Sequence, residues 1–197
     1  MTYEAKTFSI SKLEGISKES VDQHIVLYQG YVKNFNSMTE LADQLRQADA
    51  QKNALAVGEL MRRRSFEFGG MRLHEYYFPQ LEGGAVALDA GSALGTALSA
   101  QYGETTGAEK EMRTLAGLRG PGWSILYWDP VARQFLVGFS EEQHQGHFAT
   151  LPIIIALDVW EHAYVLDYGA SGKGSYVDAF FANLNWGVAE KRFAALA

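Results

Sequence analysis

The chain changes its periodicity near residue 120, and that change limits the folds open to it. Before it, apolar residues recur at helical spacing. Ser17 to about Asn36 reads as a first helix, with a break expected at Asn34-Phe35-Asn36-Ser37. Ser37-Met38-Thr39-Glu40 is a capping-box pattern that would restart it, and Leu41, Leu45, Ala48, Leu55 and Leu60 come next at roughly helical spacing. Gly69-Gly70 predicts an interruption before a further helical piece over Met71 to Phe78, and Gly83-Gly84 ends this half. Residues 85–103 carry weak helical signals. Thr106-Gly107-Ala108-Glu109 is a second capping box, ahead of Met112, Leu115 and Leu118.

Beyond the turn cluster Arg119-Gly120-Pro121-Gly122 the pattern becomes β-like. Trp123 to Trp128, Gln134 to Phe139 and the Ile-rich Leu151 to Asp158 read as three strands, with Asp129-Pro130 turning between the first two. The tail from Tyr176 to Leu196 reads as one amphipathic helix with Val177, Phe180, Phe181 and Leu184 on one side. Helices followed by helices with a small three-stranded sheet predict the α+β class, with a boundary near Gly83-Gly84.

Composition removes several functions. At 197 residues, 47% hydrophobic and 13% aromatic, the chain can bury a core, which argues against disorder. A net charge of −6 argues against a nucleic-acid partner, and any anionic substrate would need a local positive patch. There is no cysteine, so disulfides, thiolate catalysis and cysteine-ligated metals are excluded. The segment Met1-Thr2-Tyr3-Glu4-Ala5-Lys6 lacks the look of a signal peptide, and Leu151–Leu157 is too short to span a bilayer. No membrane association and a cytoplasmic location are the expectation.

A metal in this chain would have to use His, Asp or Glu. The histidines are His24, His74, His144, His147 and His162. Asp158 lies four residues before His162, which on a helical turn puts carboxylate and imidazole on one side. With one histidine from each first-half helix they would form a three-His, one-Asp set suited to iron, manganese or zinc. Taken singly, each histidine reads more often as a packed or exposed residue than as a ligand, and Asp158 has a helix N-cap as its ordinary reading.

The local context ties them together. Asp158-Val159-Trp160-Glu161-His162-Ala163-Tyr164 resembles the signature segment of the iron/manganese superoxide dismutases. Leu166-Asp167-Tyr168, Tyr176-Val177-Asp178-Ala179-Phe180-Phe181 and Asn185-Trp186 are similar to family segments downstream of the signature. Gly120-Pro121-Gly122-Trp123, Gly69-Gly70-Met71-Arg72-Leu73-His74 and Tyr31-Val32 with Asn34 resemble family segments upstream. The resemblance runs in order over nearly the whole chain. It implies an N-terminal helical hairpin, residues 1–83, packed on a C-terminal α/β domain, residues 84–197, with a three-stranded antiparallel sheet.

The resemblance also implies superoxide as substrate, disproportionated at one iron or manganese ion per subunit, held by His24, His74, Asp158 and His162. Tyr31 matches the active-site tyrosine. Gln143 falls where members carry a second Gln or His contact to the metal-bound solvent, with His144 and Gln145 as rivals for the register. The alternative source of that Gln, four residues before the second-helix histidine, is here Gly70, which leans to the manganese-like pattern. Trp123 and Trp160 resemble the aromatic shell. Glu161 resembles the residue that bonds the ligand histidine of the other subunit, which implies a homodimer. Lys173 stands where an arginine usually lies near the substrate funnel, and His147 has no implied role.

Several positions depart from the family. Leu27 or Tyr28 occupies the place of a customary gateway histidine, Phe78 replaces a Trp, and Leu73 an Asn. His24 and Tyr31 are seven residues apart where eight is common, and one residue turns a helix by about 100°. Either a helix irregularity found in the family is absent, or His24 is not a ligand. These departures keep open a metal-binding protein with the dismutase fold and little or no activity.

Overall fold

The computed structural model describes residues 2–196, so Met1 and Ala197, the outer bounds of the two expected domains, lie outside it. Ser17 starts the first helix: its hydroxyl accepts from the Ser20 amide at 3.0 Å, satisfying one of the open N-terminal donors. Helix α1 (Lys18–Asp49) and helix α2 (Ala54–Tyr77) are joined by a short link. They run antiparallel, as the pairs His24–His74, Asn34–Glu67 and Thr39–Arg64 show. The buried face of α1 carries Ser20, His24, Tyr28 and Val32, one residue per turn.

After a 3₁₀ turn (Phe78–Leu81) come α3 (Ala93–Tyr102) and α4 (Gly107–Ala116). Strands β1 (Trp123–Asp129), β2 (Gln134–Ser140) and β3 (Ile153–Asp158) form an antiparallel sheet in the order β2–β1–β3. β1 is central and buried from Trp123 to Trp128, which explains its largely apolar run, and the one polar residue in it, Ser124, donates to the Met112 carbonyl at 2.9 Å. Its register pairs Trp123 with Asp158, so the tryptophan that opens β1 lies beside the aspartate that ends β3. A second 3₁₀ turn (Glu161–Ala163) and helices α5 (Val165–Tyr168), α6 (Lys173–Asn183) and α7 (Trp186–Ala194) complete the chain. The α+β arrangement and the three strands are as the sequence predicts.

Several local expectations are overturned: the Thr106 side chain caps nothing, and the helical spacing from Leu41 to Leu60 is split between two helices at residues 50–53. No break occurs at Asn34–Ser37. The Asn36 side chain bonds both the amide and the carbonyl of Tyr3, at 2.9 and 2.8 Å, instead of competing with its own backbone. Gly69-Gly70 does not interrupt α2; a Cβ at Gly69 would collide with the backbone carbonyl of Gln143, and one at Gly70 would come within 2.6 Å of the Tyr31 ring. The tail is two helices, because Asn185 caps α7 by accepting from Gly187 N at 3.1 Å.

Candidate metal centre

Four side chains converge where α1, α2 and the end of β3 meet. One ligand atom from each of His24, His74, Asp158 and His162 lies within 4.8 Å of every other. Asp158 Oδ2 is 3.1 Å from His24 Nε2, 3.0 Å from His162 Nε2 and 3.5 Å from His74 Nε2, and the Nε2 atoms of His24 and His74 are 2.9 Å apart. His74 Nδ1 donates to the Gly70 carbonyl at 2.6 Å, since a carbonyl can only accept; Nε2 of the neutral ring is therefore a lone pair aimed into the cluster. Donors gathered this closely suit a single cation. A neutral-imidazole and carboxylate set of this kind fits iron or manganese.

Electrostatics agree with that fit. Burial pushes His24 down despite its contact with Asp158, and burial is the main cause that takes His74 to about 3. Both imidazoles thus stay neutral and able to ligate. Burial would raise the Asp158 carboxyl, but its contacts with His162 and His24, hydrogen bonds included, outweigh it and hold it well below the usual carboxylate range.

His24 and Tyr31 share this side of the fold with no irregular turn in α1. Seven residues rotate a regular helix by about 700°, only about 20° short of two full turns. The shorter spacing therefore suits an unbroken helix, and the alternative that it removes His24 from the cluster does not apply to this geometry.

A hydrogen-bonded chain runs alongside. Trp123 Nε1 donates to Gln143 Oε1 at 2.8 Å, and Gln143 Nε2 donates to the Tyr31 hydroxyl at 3.1 Å. An indole N–H can only donate, so it fixes which way the amide faces. Of the three residues between which the register was open, Gln143 is the one that reaches Tyr31. His144 instead packs on Phe66, its buried Nδ1 making no hydrogen bond among the described residues and lying 3.6 Å from Glu142 Oε2, and Gln145 is exposed. Gly70 leaves room for the Tyr31 ring, which lies 5.3 Å from His74.

The remaining expected residues are more peripheral. Trp123 meets His74 edge-on at 5.1 Å, and Trp160 stacks on His162 at 6.0 Å. Glu161 is exposed, and His162 Nδ1 takes no hydrogen bond from the described residues. Lys173 donates to the carbonyls of Leu118 and Gly120, the latter at 3.1 Å, so its ammonium is anchored to the loop before β1.

Two groups escaped the sequence reading. Tyr77, three residues beyond His74 on the same helical face, packs 5.1 Å from His24 and meets the Tyr176 hydroxyl at 3.0 Å; its spacing was a usable signal. His147 donates from Nε2 to the Gln143 carbonyl at 3.1 Å and contacts the Tyr127 hydroxyl at 3.0 Å through Nδ1, clamping the loop that presents Gln143. Nothing in the local sequence announced that role.

The comparisons with known proteins point the same way. Residues 90–192 match the family model for iron/manganese superoxide dismutases, C-terminal domain. The chain is 32% identical to a superoxide dismutase [Fe] of Saccharolobus solfataricus over 94% of its own length and 89% of that protein. It is 34% identical to a superoxide dismutase [Fe] of Cupriavidus metallidurans, covering 99% of the chain and 98% of the relative. It is 32% identical to a superoxide dismutase [Mn] 2 of Halobacterium salinarum over 83% of the chain and 78% of that protein. With a similarity that spans both halves and a cluster of this chemistry between them, the chain belongs to the iron/manganese superoxide dismutase family.

Proposed function

We propose that the chain disproportionates superoxide at one iron or manganese ion per subunit, held by His24, His74, Asp158 and His162. The observation that carries the reading is the convergence of three imidazole nitrogens and one carboxylate oxygen beside the Trp123–Gln143–Tyr31 chain. An iron or manganese ion held by these four side chains would supply the one-electron redox chemistry by which two superoxide anions and two protons become oxygen and hydrogen peroxide.

The protein's own part is to supply protons and to admit the anion. Gln143 donates to the Tyr31 oxygen, which leaves the phenolic proton free to face the site. Burial and the negative charge of Asp158 raise the Tyr31 pKa, so the hydroxyl keeps its proton at neutral pH and can lend it as peroxide forms. Trp123 and Trp160 wall the site. We assign Lys173 a share in attracting the anion while it anchors the loop before β1. To the exposed Glu161 we assign the role of acceptor for His162 Nδ1 of a second copy, with a cytoplasmic homodimer as the proposed working unit and the two domains, 1–83 and 84–197, proposed to meet at the metal.

The test is to measure bound metal and superoxide disproportionation on the purified protein. Stoichiometric iron or manganese with rapid turnover is expected. Bound metal without turnover would move the protein to a binding role, a reading favoured by Leu27 and Tyr28 at the gateway position. Absence of tight metal binding would refute both.

A further inference from the structure

Three of the four metal-facing side chains are sealed: Asp158 and His74 are 0% exposed and His24 4%, against 24% for His162. Solvent therefore approaches the cluster from the His162 side. Half-buried aromatic rings rim that approach. Trp160 stacks on His162, Phe66 meets Trp160 edge-on at 6.4 Å, and Tyr31 lies 6.0 Å from Phe66. The exposed Arg63 lies across this rim, its guanidinium carbon 4.0 Å from the centre of the Phe66 ring.

Its two neighbours in sequence are committed elsewhere. Arg62 pairs with Glu59 at 2.6 Å, and Arg64 turns toward Thr39 and the Phe35 ring. Arg63 makes no ion pair among the described residues. Around the approach stand Glu67 one turn further along α2, Glu142 beside His144, and Glu161 next to His162, in a chain of net charge −6. Such a field repels a small anion unless a cation stands at the entrance. Lys173 is half-buried with its ammonium tied to carbonyls. The charge of Arg63 is felt at the Tyr31 phenol and at Glu67.

We infer that Arg63 draws the superoxide anion to the Phe66 rim, as a steering charge additional to Lys173. The inference rests on the dismutase reading above, and the experiment separates the two. Metal-loaded wild type, Arg63→Gln and Arg63→Lys are compared for superoxide kcat/KM over a range of ionic strength, and for the affinity of azide, a small monoanion, by optical titration.

Arg63→Gln should lower kcat/KM at low salt about two- to five-fold, flatten its salt dependence, and weaken azide by a similar factor. Metal content and kcat should be unchanged, and Arg63→Lys should recover most of the loss. Unaltered kcat/KM and azide affinity in Arg63→Gln would overturn the inference. So would a loss that persists at high salt and that lysine does not repair, which marks a packing role on Phe66. A wild type without turnover sinks the dismutase reading, while the azide titration still decides whether Arg63 attracts anions.

Discussion

The Gln143 amide is held from both sides by groups with fixed preferences. Trp123 can only donate to it, and Tyr31 receives its N–H. Gln143 is fully buried, so truncation removes two bonds that no bulk water replaces. Gln143→Ala should cost about 1–3 kcal/mol of stability through the unpaired groups. Turnover should fall roughly 10- to 100-fold, the usual scale for partners that orient a metal site. Urea unfolding and steady-state turnover read the two effects separately, and unchanged turnover would detach Gln143 from the chemistry. At the same scale, His24→Ala removes one of four converging donors. Its expected result is a large drop in metal per subunit with the helical content kept, measured by elemental analysis and circular dichroism. Full metal occupancy in that variant would show that His24 is not a ligand.

Between elements, the decisive fact is how closely α2 approaches its neighbours. Gly69 lies against the backbone of the Gln143 loop and Gly70 against the Tyr31 ring. A methyl group at Gly69 would meet a carbonyl in a loop clamped by His147 and by Ser140, whose hydroxyl lies 2.6 and 2.5 Å from the Glu142 and Gln145 carbonyls and donates to one of them. Gly69→Ala should therefore destabilise the fold by about 2–3 kcal/mol, near the upper end for overpacking, and lower turnover by displacing Gln143. Thermal unfolding and activity test this, and wild-type values in both would contradict the close approach. The same glycines show what a sequence reveals. The three strands were readable because their apolar runs and flanking turns are local signals. The Asp158–His162 pair was readable because its four-residue spacing lies within one signature segment. Gly69-Gly70 looked like a helix break because its reason, a loop some seventy residues away, is invisible locally. Asn36 misled likewise, since its partner Tyr3 lies 33 residues upstream. Resemblance alone tied His24 and His74 to the second-half ligands.

Across the whole molecule, the three-His, one-Asp cluster is a buried polar link between the long helices and the sheet. Two of its side chains come from α1 and α2, and two from the segment that ends β3. A second link lies further from the site. Gln80 bonds the backbone of Ala156, and Arg192 donates to the carbonyls of Tyr76 and Ile154 at 2.7 and 2.8 Å. Burial lowers the Arg192 pKa only to about 10, so it keeps its charge at neutral pH and holds α7 against both. This second link does not need metal, so the chain should stay folded when metal is removed. The first link does depend on it: a cation would compensate the buried Asp158 carboxylate and the His24 and His74 Nε2 atoms that crowd it at 3.1 and 3.5 Å and each other at 2.9 Å. A ligand that binds only the native state stabilises it by mass action, about 4 kcal/mol at a thousandfold excess over its dissociation constant. For a chain of this size that corresponds to roughly 8–16 °C in melting temperature. Calorimetry on loaded and chelator-treated protein should show a drop of that order, with near-native helical content kept at 25 °C and the loss reversed by adding iron or manganese. Equal melting temperatures would mean that the four side chains hold the two halves together without a metal ion.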